Sequence, residues 1–181
     1  EKDKIYASSL YVEYIVQLSK IFKDLEININ TVPVLDVLYK TTSKFLVDRI
    51  FSSNVNTIKA LGKICTNVLK SKKIGSVAKH IPGHGCSVVD THNNKSVVNS
   101  PLSNLMLNDF KAFKNISSHF VMTAHIVYKK IDPLNPATHS KVLIDNIIRN
   151  WKEFKKEGIF KFFGDMIKSV RNFIDNTDFD M

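Results

Sequence analysis

One pattern constrains this chain more than any other. Amphipathic helical spacing and short apolar runs follow one another four times. From Tyr11, apolar residues recur at Tyr14, Ile15, Leu18, Ile21, Phe22 and Leu25, the three-and-four spacing that lines one side of a helix. Residues 27–35 then read as a short buried strand with Pro33 near its end, and 36–49 as a loop. A second helix is expected over 54–70, burying Ile58, Leu61, Ile64, Cys65 and Val68, and a second strand over 75–79. Helix 102–113 precedes strand 120–124, which runs up to His125. Pro136 and Thr138 introduce a helix over 142–154, which Gly158 stops. Strand 159–163, ending near Asp165, a short helix over 166–174 and a polar tail complete the chain. Strands joined by helical crossovers of this length should be parallel, with right-handed connections. In such α/β sheets, functional groups collect at the carboxyl ends of the strands. Arg49, Lys79, His80, His125 and Asp165 all fall at or just beyond predicted strand ends.

The bulk properties narrow the function. With 181 residues and 44% hydrophobic content, the chain is sized for one core, and no interdomain linker stands out. A net charge of +9 raises the idea of an acidic partner. Its distribution argues otherwise, because arginine occurs only at 49, 149 and 171 while lysines are scattered from Lys2 to Lys168. Nucleic-acid readers use arginine forks and basic clusters, so the lysines read as a solvated surface and no nucleic-acid partner is expected. Cys65 and Cys86 have no C-x-x-C spacing, so they suggest reduced thiols, with Cys65 on an apolar helical stripe. No apolar run approaches the roughly 20 residues of a membrane span. The opening Glu1-Lys2-Asp3-Lys4 is unlike a signal peptide, so a soluble, cytoplasmic protein without membrane partners is expected.

Between the second and third helices the polar groups concentrate. Lys79-His80-Ile81-Pro82-Gly83-His84-Gly85 is followed, four residues on, by Asp90-Thr91-His92. Pro82, Gly83 and Gly85 rule out a helix, so the cluster sits on a loop leaving a strand, a common way to build a site. His80 and His84 have the i, i+4 spacing of a helical zinc site, but residue 81 is isoleucine and the breakers forbid the helix, so no metal or other cofactor is expected. His84 reads as a histidine satisfied inside a rigid turn. His92 lies instead in a polar stretch with Asp90, Thr91, Asn93, Asn94 and Lys95.

These residues resemble the signature of the bacterial β-N-acetylglucosaminidases of glycoside hydrolase family 3. The resemblance continues in register through Val32-Pro33-Val34-Leu35-Asp36 and Asp48-Arg49-Ile50-Phe51. It also takes in Met122-Thr123-Ala124-His125, Asp132-Pro133, Pro136-Ala137-Thr138 and Phe163-Gly164-Asp165-Met166. It implies a (β/α)8 TIM-barrel type fold, here about four βα units, with residues 1–181 as one partial catalytic barrel domain.

It further implies a retaining β-N-acetylhexosaminidase with Asp165 as nucleophile, His92 as acid/base and Asp90 as the group that orients the imidazole. Arg49, Lys79 and His80 match sugar-holding positions, and the substrate would be an N-acetylglucosamine-containing muropeptide from peptidoglycan recycling. Read without the family, Asp165 is equally a helix N-cap, Arg49 a surface ion pair with Asp48, and Lys79 a solvated strand end. His125 reads as a structural histidine at the site's edge, outside the catalytic set.

The chain departs from the family in three places. Only the third to sixth strands of the family's barrel can be placed, and the family's Asp-Gln-Glu-Gly-Gly-Arg segment is not matched. Gly164 and Met166 stand where the family has Ser and Asp. Two outcomes are therefore expected. Either self-association or a second chain completes the barrel, or the chain is an inactive fragment that at most binds N-acetyl sugars or a partner.

Overall fold

The computed structural model describes residues 2–88 and 96–151. Helix α1 (Lys2–Asp24) leads to the short strand β1 (Ile29–Asn30), the single turn α2 (Lys44–Val47) and helix α3 (Val55–Ser71). Strand β2 (Gly75–Ile81) follows, then β3 (Ser96–Val98), the short helices α4 (Leu102–Leu107) and α5 (Asp109–Phe113), and strands β4 (Phe120–Thr123) and β5 (Ile126–Tyr128). A π-helical turn at Val142–Ile147 passes into a 3-10 turn at Ile148–Asn150.

The strands are parallel, as the helical crossovers predict. β1, β2 and β4 form one sheet in that order, and β3 and β5 form a second, two-stranded ribbon. Between Lys79 and Ile81 the β2–β4 register slips, so three residues of β2 face Met122 and Thr123. His80 is the extra residue of a bulge, a device that re-aims a side chain at a strand end. β4 breaks at Ala124 and His125 and resumes as β5 beside β3, so a second pair of strands continues beyond the carboxyl end of β2.

Packing explains why the helices lie where they do. α3 packs on α1, on α5 and on β2. Asn54 caps α3 by accepting hydrogen bonds from the backbone N–H groups of Asn56 and Thr57. The core joins Leu35, Ile58, Ala78, Ile81, Phe110, Phe113, Ile126 and Tyr128, and a smaller cluster of Ile15, Cys65, Leu69 and Ile74 seals α1 to α3. Both faces of β2 are covered, as expected of a central parallel strand. α1 also carries a second apolar stripe of Tyr6, Leu10, Tyr14 and Ile21, which is exposed. Among the described residues, β1 pairs with β2 alone.

Several sequence expectations shift. α1 begins well before Tyr11, and its buried side is confined to Ile15 and Ser19. The strand expected over 27–35 is reduced to Ile29–Asn30 plus an isolated bridge from Val34 to Lys79, because Pro33 has no N–H to donate. β2 runs two residues past its expected end, which places Lys79 and His80 inside the strand rather than beyond it. Helix 102–113 is broken at Asn108 into α4 and α5. The buried face of α3 holds Ile58 and Cys65 as expected, with Gly62, Thr66 and Leu69 beside them, while Leu61, Ile64 and Val68 are half-buried. The strand expected over 159–163, the helix over 166–174, and Asp90, His92 and Asp165 lie outside the described residues.

Candidate active site at the carboxyl end of the sheet

Asp36 anchors the site. It is fully buried at 0% exposure, where β1's extension ends, and an uncompensated carboxylate there would be costly. Compensation comes from the loop after β2. Asp36 Oδ1 accepts from the backbone N–H of His84 at 2.6 Å and of His80 at 3.3 Å, and Oδ2 meets His80 Nδ1 at 2.8 Å. A carboxylate on one ring nitrogen fixes the imidazole plane and turns the other nitrogen away. The His80 ring is therefore held for a task at its far edge. The His84 ring lies edge-on between Phe45 and His80, with centroids at 5.5 and 5.4 Å, and is buried as the turn reading predicts.

Lys79 is buried and its Nζ donates to Thr31 Oγ1 at 3.2 Å. Burial, then the nearby Arg49 charge, pulls its ammonium below the usual lysine range, while Asp36 opposes them. The solvated-strand-end alternative for Lys79 is thereby excluded, and Arg49 is placed close enough to act on it. Arg49 itself is exposed and, among the described residues, makes no ion pair with Asp48 or any other carboxylate. So His80 is held on Asp36 near the carboxyl end of β2, with Lys79 beside it in the strand, and the Arg49 charge is felt at Lys79. His125 is exposed at the kink between β4 and β5, where its Nδ1 lies 3.4 Å from Thr138 Oγ1. Among the described residues no three His, Cys, Asp or Glu side chains gather as metal ligands would.

The loop over 82–87 is pinned from every side. The Tyr128 hydroxyl donates to the Gly83 carbonyl, and Thr42 Oγ1 donates to the Gly85 carbonyl at 2.8 Å. Ser43 N–H donates to the Ser87 carbonyl at 3.1 Å, and the hydroxyls of Ser87 and Ser96 meet at 2.7 Å. Asp109, at the start of α5, accepts from Tyr39 O–H at 2.7 Å and from Cys86 S–H at 3.3 Å. Sequence reasoning missed Asp36 and Asp109 as site builders. Their partners lie 44 to 48 and 23 to 70 residues away, separations that no periodicity reports.

Burial, with a smaller push from Asp36, raises the Asp109 carboxyl above its ordinary value of 3.8. A carboxyl raised on folding gives stability that is full below 3.8 and lost as pH rises through the folded value. Asp109→Asn keeps an acceptor for Tyr39 and Cys86 without the buried charge. Urea unfolding should show the variant more stable than the parent at pH 7, with the gain shrinking as pH falls toward 3.8. A gain that grew toward low pH would contradict the sign.

The family model described as "Glycosyl hydrolase family 3 N terminal domain" matches residues 11–177, nearly the whole chain. The chain belongs to glycosyl hydrolase family 3.

Curated relatives agree. A β-hexosaminidase of Hydrogenovibrio crunogenus is 34% identical over 65% of this chain, and one of Psychromonas ingrahamii is 31% identical over 72% of it. The matched region spans 33% and 39% of those relatives' own lengths. The crystal structure of NagZ from Neisseria gonorrhoeae in complex with N-trifluoroacetyl-D-glucosamine superimposes with a TM-score of 0.74 at 26% identity, covering 80% of this chain and 42% of that one. The parallel βα units are therefore part of a TIM-barrel type fold, as the family 3 resemblance implies.

Proposed function

We propose that this family 3 chain carries part of the active site of a retaining β-N-acetylhexosaminidase. Arg49, Lys79 and His80 hold the N-acetylglucosamine, Asp165 is the nucleophile, His92 the acid/base, and Asp90 orients the imidazole. The observation that carries the reading is a buried Lys79 beside an Asp36-oriented His80 at the carboxyl end of parallel strands. The complex of the gonococcal relative with N-trifluoroacetyl-D-glucosamine supports an N-acetyl sugar as ligand. A muropeptide substrate, a cytoplasmic setting and a role in peptidoglycan recycling extend this reading from the family signature. The exposed stripe of α1 and the open side of β1 support further polypeptide completing the barrel, from a longer chain, a second chain or a second copy.

The mechanism is the one the family 3 resemblance implies. Asp165 attacks the anomeric carbon while His92 protonates the departing oxygen, and the glycosyl-enzyme ester is then hydrolysed by water that His92 deprotonates. A positive Lys79–Arg49 pair near polar sugar hydroxyls favours binding throughout both steps, so it should act mainly on KM. With a chromogenic β-N-acetylglucosaminide and a completed barrel, Lys79→Ala and Arg49→Ala should each raise KM by roughly 10- to 100-fold, the worth of a hydrogen bond to a charged group. Unchanged KM in both, and in His80→Ala, would remove these residues from the sugar site. The second reading, an inactive fragment that only binds N-acetyl sugars, is favoured by Gly164 and Met166 at the nucleophile segment. Calorimetric sugar binding without turnover in the completed barrel would select it.

A further inference from the structure

Asp109 is a buried carboxyl that the proposed mechanism does not use. It is 1% exposed, and its contacts run to the two loops that flank the carboxyl end of β2. Its Oδ2 takes Tyr39 O–H from the loop after Asp36 and Cys86 S–H from the loop after His84. Its Cβ abuts Gly83 so closely that a side chain there would stand 2.6 Å from it. Its Oδ1 has no hydrogen-bond partner among the described residues. The groups whose charges or protons act on it are Tyr39, Cys86, Asp36 and Tyr128, none of them a cation. An ion pair therefore does not explain this carboxyl. What remains is its reach, one oxygen bonded to both loops at once.

We propose that Asp109 is a positioning residue that clamps the 36–43 and 82–87 loops together, so that sugar held by Lys79, His80 and Arg49 and the closed clamp stabilise each other. The coupling to sugar rests on the function proposed above, whereas the clamp stands without it. Cys86 reports the clamp. Its thiol is half-buried, and burial with the Asp109 charge pushes it up to about 12, so little reactive thiolate is present near neutral pH.

The test is the rate at which iodoacetamide alkylates Cys86 in the full chain at pH 8, followed by mass spectrometry of its peptide. The thiolate sulfur displaces iodide, forming a thioether. Asp109→Ala is compared with Asp109→Asn, because both lack the charge and only the second keeps the acceptor. Cys65, fully buried, gauges unfolding in the same sample.

The alanine variant should react roughly fivefold to tenfold faster than the asparagine variant, about one lost hydrogen bond, with Cys65 still protected. Equal rates within about twofold would overturn the clamp. Should alanine also expose Cys65, Tyr39→Phe against the parent decides, since it breaks one arm and keeps Asp109. A faster Cys86 supports the clamp and an unchanged one overturns it. In a completed barrel, N-acetylglucosamine should slow Cys86 in the parent and not in Asp109→Ala. Equal protection of both would overturn the coupling. No protection anywhere, with the alanine effect intact, would overturn the sugar-binding reading and leave the clamp standing.

Discussion

Gly85→Ala is expected to cost roughly 3–5 kcal/mol of stability, above the usual range for overpacking because the obstacle is main chain. A Cβ at this position would stand 1.9 Å from the Val37 carbonyl oxygen, 2.9 Å from its carbon and 3.0 Å from its nitrogen. Val37 cannot retreat cheaply. It follows Asp36, whose carboxylate holds His80 and His84, and Leu38 N–H donates to the Ser52 carbonyl at 3.1 Å. The Gly85 carbonyl is itself held by Thr42, whose hydroxyl oxygen accepts from Tyr39 N–H. Moving either strand of this contact strips hydrogen bonds from buried groups.

Gly62→Ala is the companion measurement. There the nearest atom is the Leu35 Cδ2 methyl at 2.6 Å, the end of a side chain that can rotate. Alanine also returns roughly 1 kcal/mol of helix propensity, so the net loss should stay under about 2 kcal/mol. Urea unfolding of both variants, compared at unchanged m, reads the difference. If Gly85→Ala matched the parent midpoint, the close approach of the two loops could not be as described.

How much of this was legible in the sequence depends on what each element answers to. α3 was readable because its period and its length agree, and β2 because an apolar run leads into Pro82 and Gly83. β3 and β5, three residues each, are too short for alternation to register and exist because they pair with one another. The 102–113 pattern looked like one helix because apolar spacing does not see the break at Asn108. That break turns Asp109 inward toward Tyr39 and Cys86. The site was legible in its residues and not in its supports. Lys79, His80 and Arg49 stood out in the sequence, yet the burial of Lys79 and the grip of Asp36 on His80 arise only from tertiary packing. Gly83 and Gly85 were the one available hint, since paired glycines beside histidines announce a close backbone approach.

In a completed barrel, Asp165→Asn is expected to lower turnover of every β-N-acetylglucosaminide by roughly 10^4-fold or more, because an amide cannot form the glycosyl ester. His92→Ala should behave differently, and the difference identifies its role. A nitrophenolate leaves without protonation, so the first step survives the loss of the acid while the second still lacks its base. A sugar or alkyl aglycone needs the proton, so both steps suffer. General acid–base catalysis is worth roughly 10^2- to 10^4-fold per step, so the His92→Ala deficit should be larger, by up to about that factor, for the poor leaving group. The parent's pH profile should carry an ionisation that His92→Ala lacks. A deficit independent of the leaving group would place His92 outside proton transfer. A nucleophile-competent enzyme would then have to take its acid from another residue, for which the orientation of His80 by Asp36 makes His80→Ala the next variant to assay.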